Sequence, residues 1–132
     1  MKIKKNHYVA LAEFRNGLRK FLAFSESEAK KEGLTPQQHQ MMLVIMGQRG
    51  RNWASIKTIS EALILEHHSV VQLIDRTIEK GLVQKTRSSE DRRVAKIEVT
   101  SAGLEILERL SEKHIAELAY LADFIKLPSL DL

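Results

Sequence analysis

Apolar residues recur at helical spacing in the first and the last part of the chain. In the first part, a helix from about residue 8 to residue 30 is predicted by apolar positions three and four residues apart, namely Leu11, Phe14, Leu18 and Phe21. In the last part, a long helix is predicted by an almost heptad stripe, which consists of Leu104, Leu107, Leu110, His114, Leu118, Leu121 and Ile125. Thr100 is placed to cap this last helix, which should end near residue 125, before Pro128.

The second predicted helix has a strong local start signal. Thr35 suits the N-cap, Pro36 suits the first helical position, and Gln38 completes a Thr-x-x-Gln capping box. The run Met41–Met46 is entirely apolar, which indicates a helix that is largely buried. Gly47 and the polar residues after it should end this helix.

A helix-turn-helix is predicted in the middle of the chain. Ser55 can cap a short third helix, and a turn is expected near residues 64–65. A fourth helix then runs from about Glu66 to Lys80 and is stopped by Gly81 at the C′ position.

A β-hairpin with a cationic tip follows the fourth helix. The segments Leu82–Thr86 and Ala95–Val99 are predicted strands, and the polar residues between them include two arginines. The pattern therefore predicts a mainly α fold with a small β-hairpin wing: a winged helix-turn-helix flanked by N- and C-terminal dimerisation helices. One domain should span residues 1–132, with the winged helix-turn-helix at about 35–100 and the dimerisation helices at about 8–30 and 101–127.

Charge is concentrated in the predicted hairpin. The chain of 132 residues has a formal net charge of +4, and residues 85–96 hold five basic and two acidic side chains. This concentration favours a nucleic-acid partner over a uniformly solvated surface. The chain has no cysteine, no signal-peptide pattern and no apolar run long enough for a membrane span, so we expect a cytoplasmic protein without a membrane partner.

The fourth helix has one apolar face and one polar face. Val70, Leu73, Ile74 and Thr77 should pack inward, whereas His68, Ser69, Gln72 and Arg76 fall on the opposite face. Gln72 is the best candidate for base readout, because its amide can pair bidentately with adenine. His68 and Ser69 can reach bases or backbone oxygens, and Arg76 is expected at a phosphate. The alternative is an ordinary solvated helix face.

The hairpin adds a second candidate contact with DNA. Arg93 lies at the expected tip, where its guanidinium could enter a narrow minor groove. Asp91 is expected to support Arg93 and not to touch DNA, because phosphate repels it. The phosphate candidates are Lys57, Arg87, Arg92 and Lys96.

Six of the seven aromatic residues fall in the two terminal helices, and only Trp53 lies in the middle. Helices that pack against each other and against a second subunit need such residues. Some of them could instead line a ligand cavity, for which Phe14, Phe21 and Tyr120 are the candidates.

The chain resembles the multiple-antibiotic-resistance regulator (MarR) family of dimeric winged-helix transcription factors. The most specific match is Asp91-x-Arg93 followed by Val99-Thr100-x-x-Gly103, which resembles the wing signature of the family. The segments 74–76 and 80–83 resemble the end of its recognition helix. Two positions depart from the pattern, Ile64 where a turn glycine is common and Thr77 where leucine is usual, and both are interpreted as packing changes. The chain also ends soon after the last helix, where members commonly add another.

The resemblance implies a function that the residues alone do not specify. It implies Arg93 as the minor-groove arginine, a homodimer on a pseudo-palindromic DNA operator, and a repressor. It also implies release by a small aromatic or lipophilic anion that binds between the dimerisation and DNA-binding regions.

Other classes of function have less support. No nucleophile, phosphate-loop or catalytic-thiol motif is present, so neither an enzyme nor a cofactor is expected. The five histidines are scattered or point apart, and no metal site is expected, although some members of the family sense zinc. The main alternative is a winged helix that contacts another regulator and not DNA.

Overall fold

The computed structural model of the protein describes residues 1–124, which form five helices and a three-stranded antiparallel sheet. The elements are α1 (Lys5–Lys31), α2 (Pro36–Met46), β1 (Trp53–Ala54), α3 (Ile56–Leu63), α4 (His67–Glu79), β2 (Val83–Arg87), β3 (Ala95–Val99) and α5 (Ser101–Phe124). This confirms the predicted mainly α fold with a winged helix-turn-helix between two long helices. The predicted end of the last helix, near residue 125, lies outside the described residues.

The predicted starts of α2 and α3 are confirmed by their capping hydrogen bonds, whereas α1 begins at Lys5, a little before the predicted start near residue 8. The backbone N–H of Gln38 donates to Thr35 Oγ1 at 3.1 Å, and the backbone N–H of Thr35 donates to Gln38 Oε1 at 3.0 Å. Ser55 Oγ likewise accepts from the backbone N–H of Thr58 at 3.1 Å. Each bond satisfies a backbone donor that the first helical turn leaves without a carbonyl partner.

The hairpin belongs to a larger sheet than the sequence pattern predicts. The strand order is β1-β3-β2, and Trp53 pairs with Glu98 while Ala54 pairs with Ile97. A strand of two residues is too short to show alternation, so the pattern gave no signal for it. The pairing closes one edge of β3 and brings Trp53 onto the wing.

The core lies between α2, α3, α4, the sheet and the first half of α5. Its large apolar side chains that are fully buried are Met41, Met42, Ile45, Ile59, Val70, Ile74, Val83, Ile97 and Leu110. Burying a side chain of this size contributes roughly 1.5–3 kcal/mol. These contacts hold α4 by one face and leave its other face free.

The start of α5 is locked to the end of α4. Thr100 donates its backbone N–H to the Leu82 carbonyl at 3.0 Å and its hydroxyl to the Gly81 carbonyl at 2.6 Å. Thr100 Oγ1 also accepts from the backbone N–H of Gly103 at 3.1 Å, which confirms the predicted cap. A Cβ atom on Gly103 would overlap the Leu82 carbonyl oxygen, so only glycine allows this approach.

Ion pairs join the second half of α1 to α5. Arg109 forms a bidentate pair with Glu32, and Lys113 lies 3.0 Å from Glu28. Hydrogen bonds from Lys31 and Lys113 lower the pKa of Glu28, and a hydrogen bond from Arg109 lowers that of Glu32. In the first half of α1, the apolar residues Tyr8, Leu11, Phe14 and Leu18 are exposed. None of the helices within residues 1–124 is long and apolar enough to cross a membrane.

Candidate nucleic-acid interface

Helix α4 presents a polar face to solvent, as its sequence pattern predicts. Val70, Leu73, Ile74 and Thr77 are buried, whereas His68, Gln72 and Arg76 are exposed and Ser69 is half-buried. At the end of α4, Lys80 Nζ donates to the Gly33 carbonyl and to Gln38 Oε1, both at 2.8 Å. This contact fixes the helix against the start of α2, so that its polar face has a defined direction.

The turn before α4 has an unusual backbone. Ile64 adopts a left-handed conformation with φ 55°, and its side chain is 90% exposed. The interpretation of Ile64 as a packing change is therefore wrong, because its side chain packs against almost nothing. Thr77, in contrast, is fully buried and donates its hydroxyl to the Leu73 carbonyl at 2.7 Å, so its polar atom is satisfied inside the core.

The wing tip, residues 88–94, is closed by a serine that the sequence analysis did not single out. Ser88 is buried, and its Oγ accepts from the backbone N–H groups of Glu90 at 3.3 Å and Asp91 at 3.4 Å. Its backbone N–H donates to the Val94 carbonyl at 3.0 Å. Serine hydroxyls commonly close turns in this way, and this propensity is the signal that could have identified Ser88.

Arg93 projects from this closed tip and is held by Asp91. Asp91 Oδ1 accepts from the backbone N–H of Arg93 at 3.0 Å and from its Nε at 3.2 Å. The Arg93 side chain is 92% exposed. The predicted support of Arg93 by Asp91 is therefore present. One carboxylate oxygen accepts from both the backbone N–H and the Nε of Arg93, and the guanidinium lies in solvent.

The remaining basic candidates lie around the wing and at the start of α3. Arg87 ends β2, Arg92 lies in the tip and Lys57 lies in the first turn of α3, and all three are exposed. Lys96 is half-buried on β3 opposite Thr86.

A stack of cations on Trp53 is a feature that sequence reasoning missed. The Cζ of Arg51 lies 3.9 Å from the centre of the Trp53 ring, and Lys96 Nζ lies 4.7 Å from it. Such cation–π contacts hold long basic side chains in place. Arg51 is a near neighbour of Trp53 in the sequence, whereas the pairing of β1 with β3 brings Lys96 to the ring from more than 40 positions away. Arg51 thus joins the basic surface at the base of the wing.

Two cavities lie beside the terminal helices. One, of about 390 Å³, lies between α1 and α5 and is lined by Phe14, Gly17, Leu18, Phe21, Leu118, Leu121 and Ala122. The other, of about 410 Å³, also involves α2 and is lined by Phe21, Leu22, Ser25, His39, Gln40, Leu43, Ser111, His114, Ile115 and Leu118. Of the pocket candidates, Phe21 lines both cavities, Phe14 lines the first, and Tyr120 lines neither.

The histidines take different environments. His39 and His114 approach each other with ring centroids 4.9 Å apart, whereas His67 and His68 are exposed on α4. Among residues 1–124, no three His, Cys, Asp or Glu side chains are grouped so that they could hold a metal ion.

The fold and the exposed basic surface define a winged helix-turn-helix protein. The chain superposes on AbsC, a MarR family transcriptional regulator from Streptomyces coelicolor, with a TM-score of 0.76 and 17% identity, covering 97% of this chain and 86% of AbsC. It superposes on the S. aureus MepR–DNA complex with a TM-score of 0.69 and 15% identity, covering 92% of this chain and 85% of MepR. At these identities the likeness is one of fold.

The sequence is similar to those of several transcriptional regulators. The chain is 28% identical over 98 residues to a putative transcriptional regulatory protein for the hcr operon of Thauera aromatica, covering 74% of this chain and 57% of the relative. It is 34% identical over 71 residues to the HTH-type transcriptional repressor IacR of Pseudomonas putida, covering 54% of this chain and 41% of IacR. The chain spans about half the length of the curated relatives it matches. The MarR family model matches residues 32–94, so the winged helix-turn-helix of this chain is similar to that of this family.

Proposed function

We propose that the chain is a homodimeric, sequence-specific DNA-binding repressor that a small aromatic or lipophilic ligand releases from its operator. Each subunit places α4 in a major groove and the wing tip in the flanking minor groove. The two half-sites of a pseudo-palindromic operator then lie about 10 base pairs apart, centre to centre. The residues that read or hold DNA are His68, Ser69, Gln72, Arg76, Lys57, Arg87, Arg92, Arg93 and Lys96.

The geometry of Arg93 carries this proposal. The Arg93 side chain is 92% exposed, and its backbone N–H and its Nε both donate to Asp91. Its charge is therefore accessible from solvent while Asp91 restricts its position. A narrow minor groove has an enhanced negative potential that attracts such a guanidinium. The exposed polar face of α4 lies in the same winged helix, which supports simultaneous contact with both grooves.

The exposed apolar residues of the terminal helices support the homodimer. They are Tyr8, Val9, Leu11, Phe14, Leu18 and Leu22 on α1, and Ile115, Leu118 and Tyr120 on α5. Phe14, Leu18 and Leu118 line one cavity, so part of this surface is continuous across the two helices. Soluble monomers seldom expose large apolar patches, whereas subunit interfaces need them. Sedimentation of the purified chain tests this, and a monomer at all accessible concentrations would contradict it.

The ligand is proposed to act through the connection between α5 and the wing. The bonds of Thr100 to Gly81 and Leu82 join the start of α5 to the end of α4. A ligand that prefers one arrangement of the terminal helices therefore changes the separation of the two α4 helices, and DNA affinity changes by the same coupling energy.

A salt titration of DNA binding tests the proposal. DNA fragments from upstream of the gene, including those identified by footprinting, are titrated with wild-type protein at several salt concentrations. The logarithm of the affinity should fall linearly with the logarithm of the salt concentration, with a slope of about −0.9 for each phosphate that the protein neutralises. Arg93→Ala should weaken binding and Asp91→Ala should weaken it less, because the arginine remains but loses its support.

Arg15→Ala is the matched control, because Arg15 is an exposed arginine on α1, outside the winged helix. This variant should bind DNA like the wild type. Equal affinities of the Arg93 and Arg15 variants would exclude Arg93 from the DNA contact. If, in addition, no fragment were bound with an affinity that depends on salt, the DNA-binding function would be rejected. Capture of another regulator without DNA binding would instead favour the protein-contact alternative.

A further inference from the structure

The end of α4 is tied to the region where α1 passes into α2. Lys80, the residue that follows α4, donates from Nζ to the Gly33 carbonyl and to Gln38 Oε1, both at 2.8 Å. These partners lie 47 and 42 positions away in the sequence, so the contact joins elements that are distant along the chain. Two of the three donors of the ammonium group are thereby used within the protein.

Both acceptors of Lys80 are held in place by local structure. The backbone N–H of Gly33 donates to the Lys30 carbonyl at 3.0 Å, so the last turn of α1 fixes the position of Gly33. Gln38 is buried, and its Oε1 also accepts from the backbone N–H of Thr35 in the capping box. The ammonium group of Lys80 is thus bound to two atoms whose positions depend on α1 and on the start of α2.

The residues directly after Lys80 are bound to α5. The carbonyl groups of Gly81 and Leu82 accept from the hydroxyl and the backbone N–H of Thr100, which caps α5. Ion pairs also join α1 to α5, so the two terminal helices are connected to each other. Residues 80–82 are therefore the segment at which both terminal helices are hydrogen-bonded to the end of α4.

We propose that Lys80 is a positioning residue that sets the spacing of the two α4 helices in the homodimer without touching DNA. It thereby determines which spacing of half-sites the protein selects. The 13 residues of α4 span about 20 Å, so a tilt of about 5° at the C-terminal end moves the N-terminal end by about 1.7 Å. The movements of two subunits add to about 3.5 Å, which equals about one base-pair step of DNA. The inference rests on the proposed function, because it needs a dimer on two half-sites.

The geometry separates this role from a general contribution to stability. When the ammonium group is removed, Gln38 Oε1 keeps its bond from Thr35, and the carbonyl of Gly33, an exposed residue, is accessible to water. The loss therefore leaves the buried acceptor with a partner and does not alter the buried face of α4. Lys80→Met, which keeps a long side chain, should lower the melting temperature by less than about 4 °C at fixed protein concentration.

Binding to operators of altered spacing tests the proposal. The operator found by footprinting is compared with two versions that carry one base pair more or one fewer between the half-sites. The wild type should prefer the native spacing by at least about tenfold, and Lys80→Met should reduce this preference to about threefold or less. Lys80→Arg should restore the preference, because a guanidinium can also donate to two oxygens.

The salt dependence distinguishes positioning from direct contact with DNA. Lys80 is exposed, and removal of a lysine that neutralises a phosphate would reduce the steepness of the plot of log affinity against log salt by about 0.9. Removal of a positioning residue should leave this steepness unchanged. Lys30→Met is the matched control, because it removes an exposed lysine near the same turn. It should change neither the steepness nor the spacing preference.

A distance measurement without DNA reports the positions of the helices directly. The chain has no cysteine, so a spin label on a single His67→Cys substitution, at the exposed start of α4, measures the separation of the two α4 helices in the dimer. Addition of Lys80→Met should broaden the distribution of this distance by about 3 Å, the sum of the movements of both subunits. Addition of Lys30→Met should leave the distribution unchanged.

The outcomes separate the role of Lys80 from the function of the protein. If the wild type is a dimer that prefers one spacing, an unchanged preference in Lys80→Met rejects the assignment of Lys80 alone. A less steep salt dependence of Lys80→Met would also overturn the assignment, because it would place Lys80 at a phosphate. A fall in melting temperature of more than about 10 °C would overturn it too, since the role would then be structural. A wild type that is a monomer, or that binds no DNA, would reject the proposed function and the assignment with it.

Discussion

Replacement of Ile64 by glycine should stabilise the protein. Ile64 has φ 55°, and the left-handed region costs an L-residue about 1–2 kcal/mol because its Cβ crowds the backbone. The side chain is 90% exposed, so its removal sacrifices little buried surface. The greater freedom of glycine in the unfolded chain costs roughly 0.5–1 kcal/mol. The difference is a net gain of roughly 0–1.5 kcal/mol, with a midpoint of about 0.75 kcal/mol.

Thermal and urea unfolding at one fixed protein concentration measure this gain, since association makes the melting temperature depend on concentration. For a chain of this size, the melting temperature should rise by about 2–4 °C. The backbone bond from Leu65 N–H to the Ser60 carbonyl, 3.1 Å, should persist, because glycine keeps the same turn.

Ile64→Val is the matched control, because valine is also β-branched and keeps the crowding. The melting temperature of Ile64→Val should stay at the wild-type value. That of Ile64→Asn should rise, because asparagine tolerates the left-handed region. A lower melting temperature for Ile64→Gly, or an equal rise for Ile64→Val, would refute the reasoning. DNA affinity should be retained, since the turn between α3 and α4 is unchanged.

Three further perturbations test other parts of the structure. Gly103→Ala should destabilise the fold by about 2–3 kcal/mol in urea unfolding, because its Cβ overlaps the Leu82 carbonyl, whereas Ser101→Ala at an exposed neighbour should change it by less than about 0.5 kcal/mol. Arg51→Ala should reduce the steepness of the plot of log affinity for DNA against log salt by about one. The fluorescence emission of Trp53, the single tryptophan, should change when the wild type binds DNA. If both the slope and the emission stay unchanged, the base of the wing does not belong to the interface. Because burial lowers the pKa of His39 in the folded state, the unfolded chain binds more protons below about pH 6.5, and stability should fall as pH drops from there. His39→Phe should make the pH dependence of the melting temperature flatter, and an unaltered profile would show that His39 does not contribute.

The sequence predicted local features well. The capping residues Thr35, Ser55 and Thr100 and the stop at Gly81 act within a few residues, so their chemistry is visible without the fold. The two faces of α4 followed from helical periodicity, and the support of Arg93 by Asp91 followed from a spacing of two residues in a turn. Ile64 was interpreted wrongly because the hydrophobic pattern of a sequence does not report a backbone dihedral angle.

The sequence alone thus determined the order of the helices and the hairpin, the two faces of α4 and the concentration of charge in the wing. Only the tertiary structure decided which distant residues meet: Trp53 with Lys96 through the pairing of β1 with β3, and His39 with His114 between α2 and α5. The orphan nitrogen of His39 in particular arises from packing. Periodicity reports which face of a helix is buried, whereas a partner for a buried atom depends on which other helix packs there.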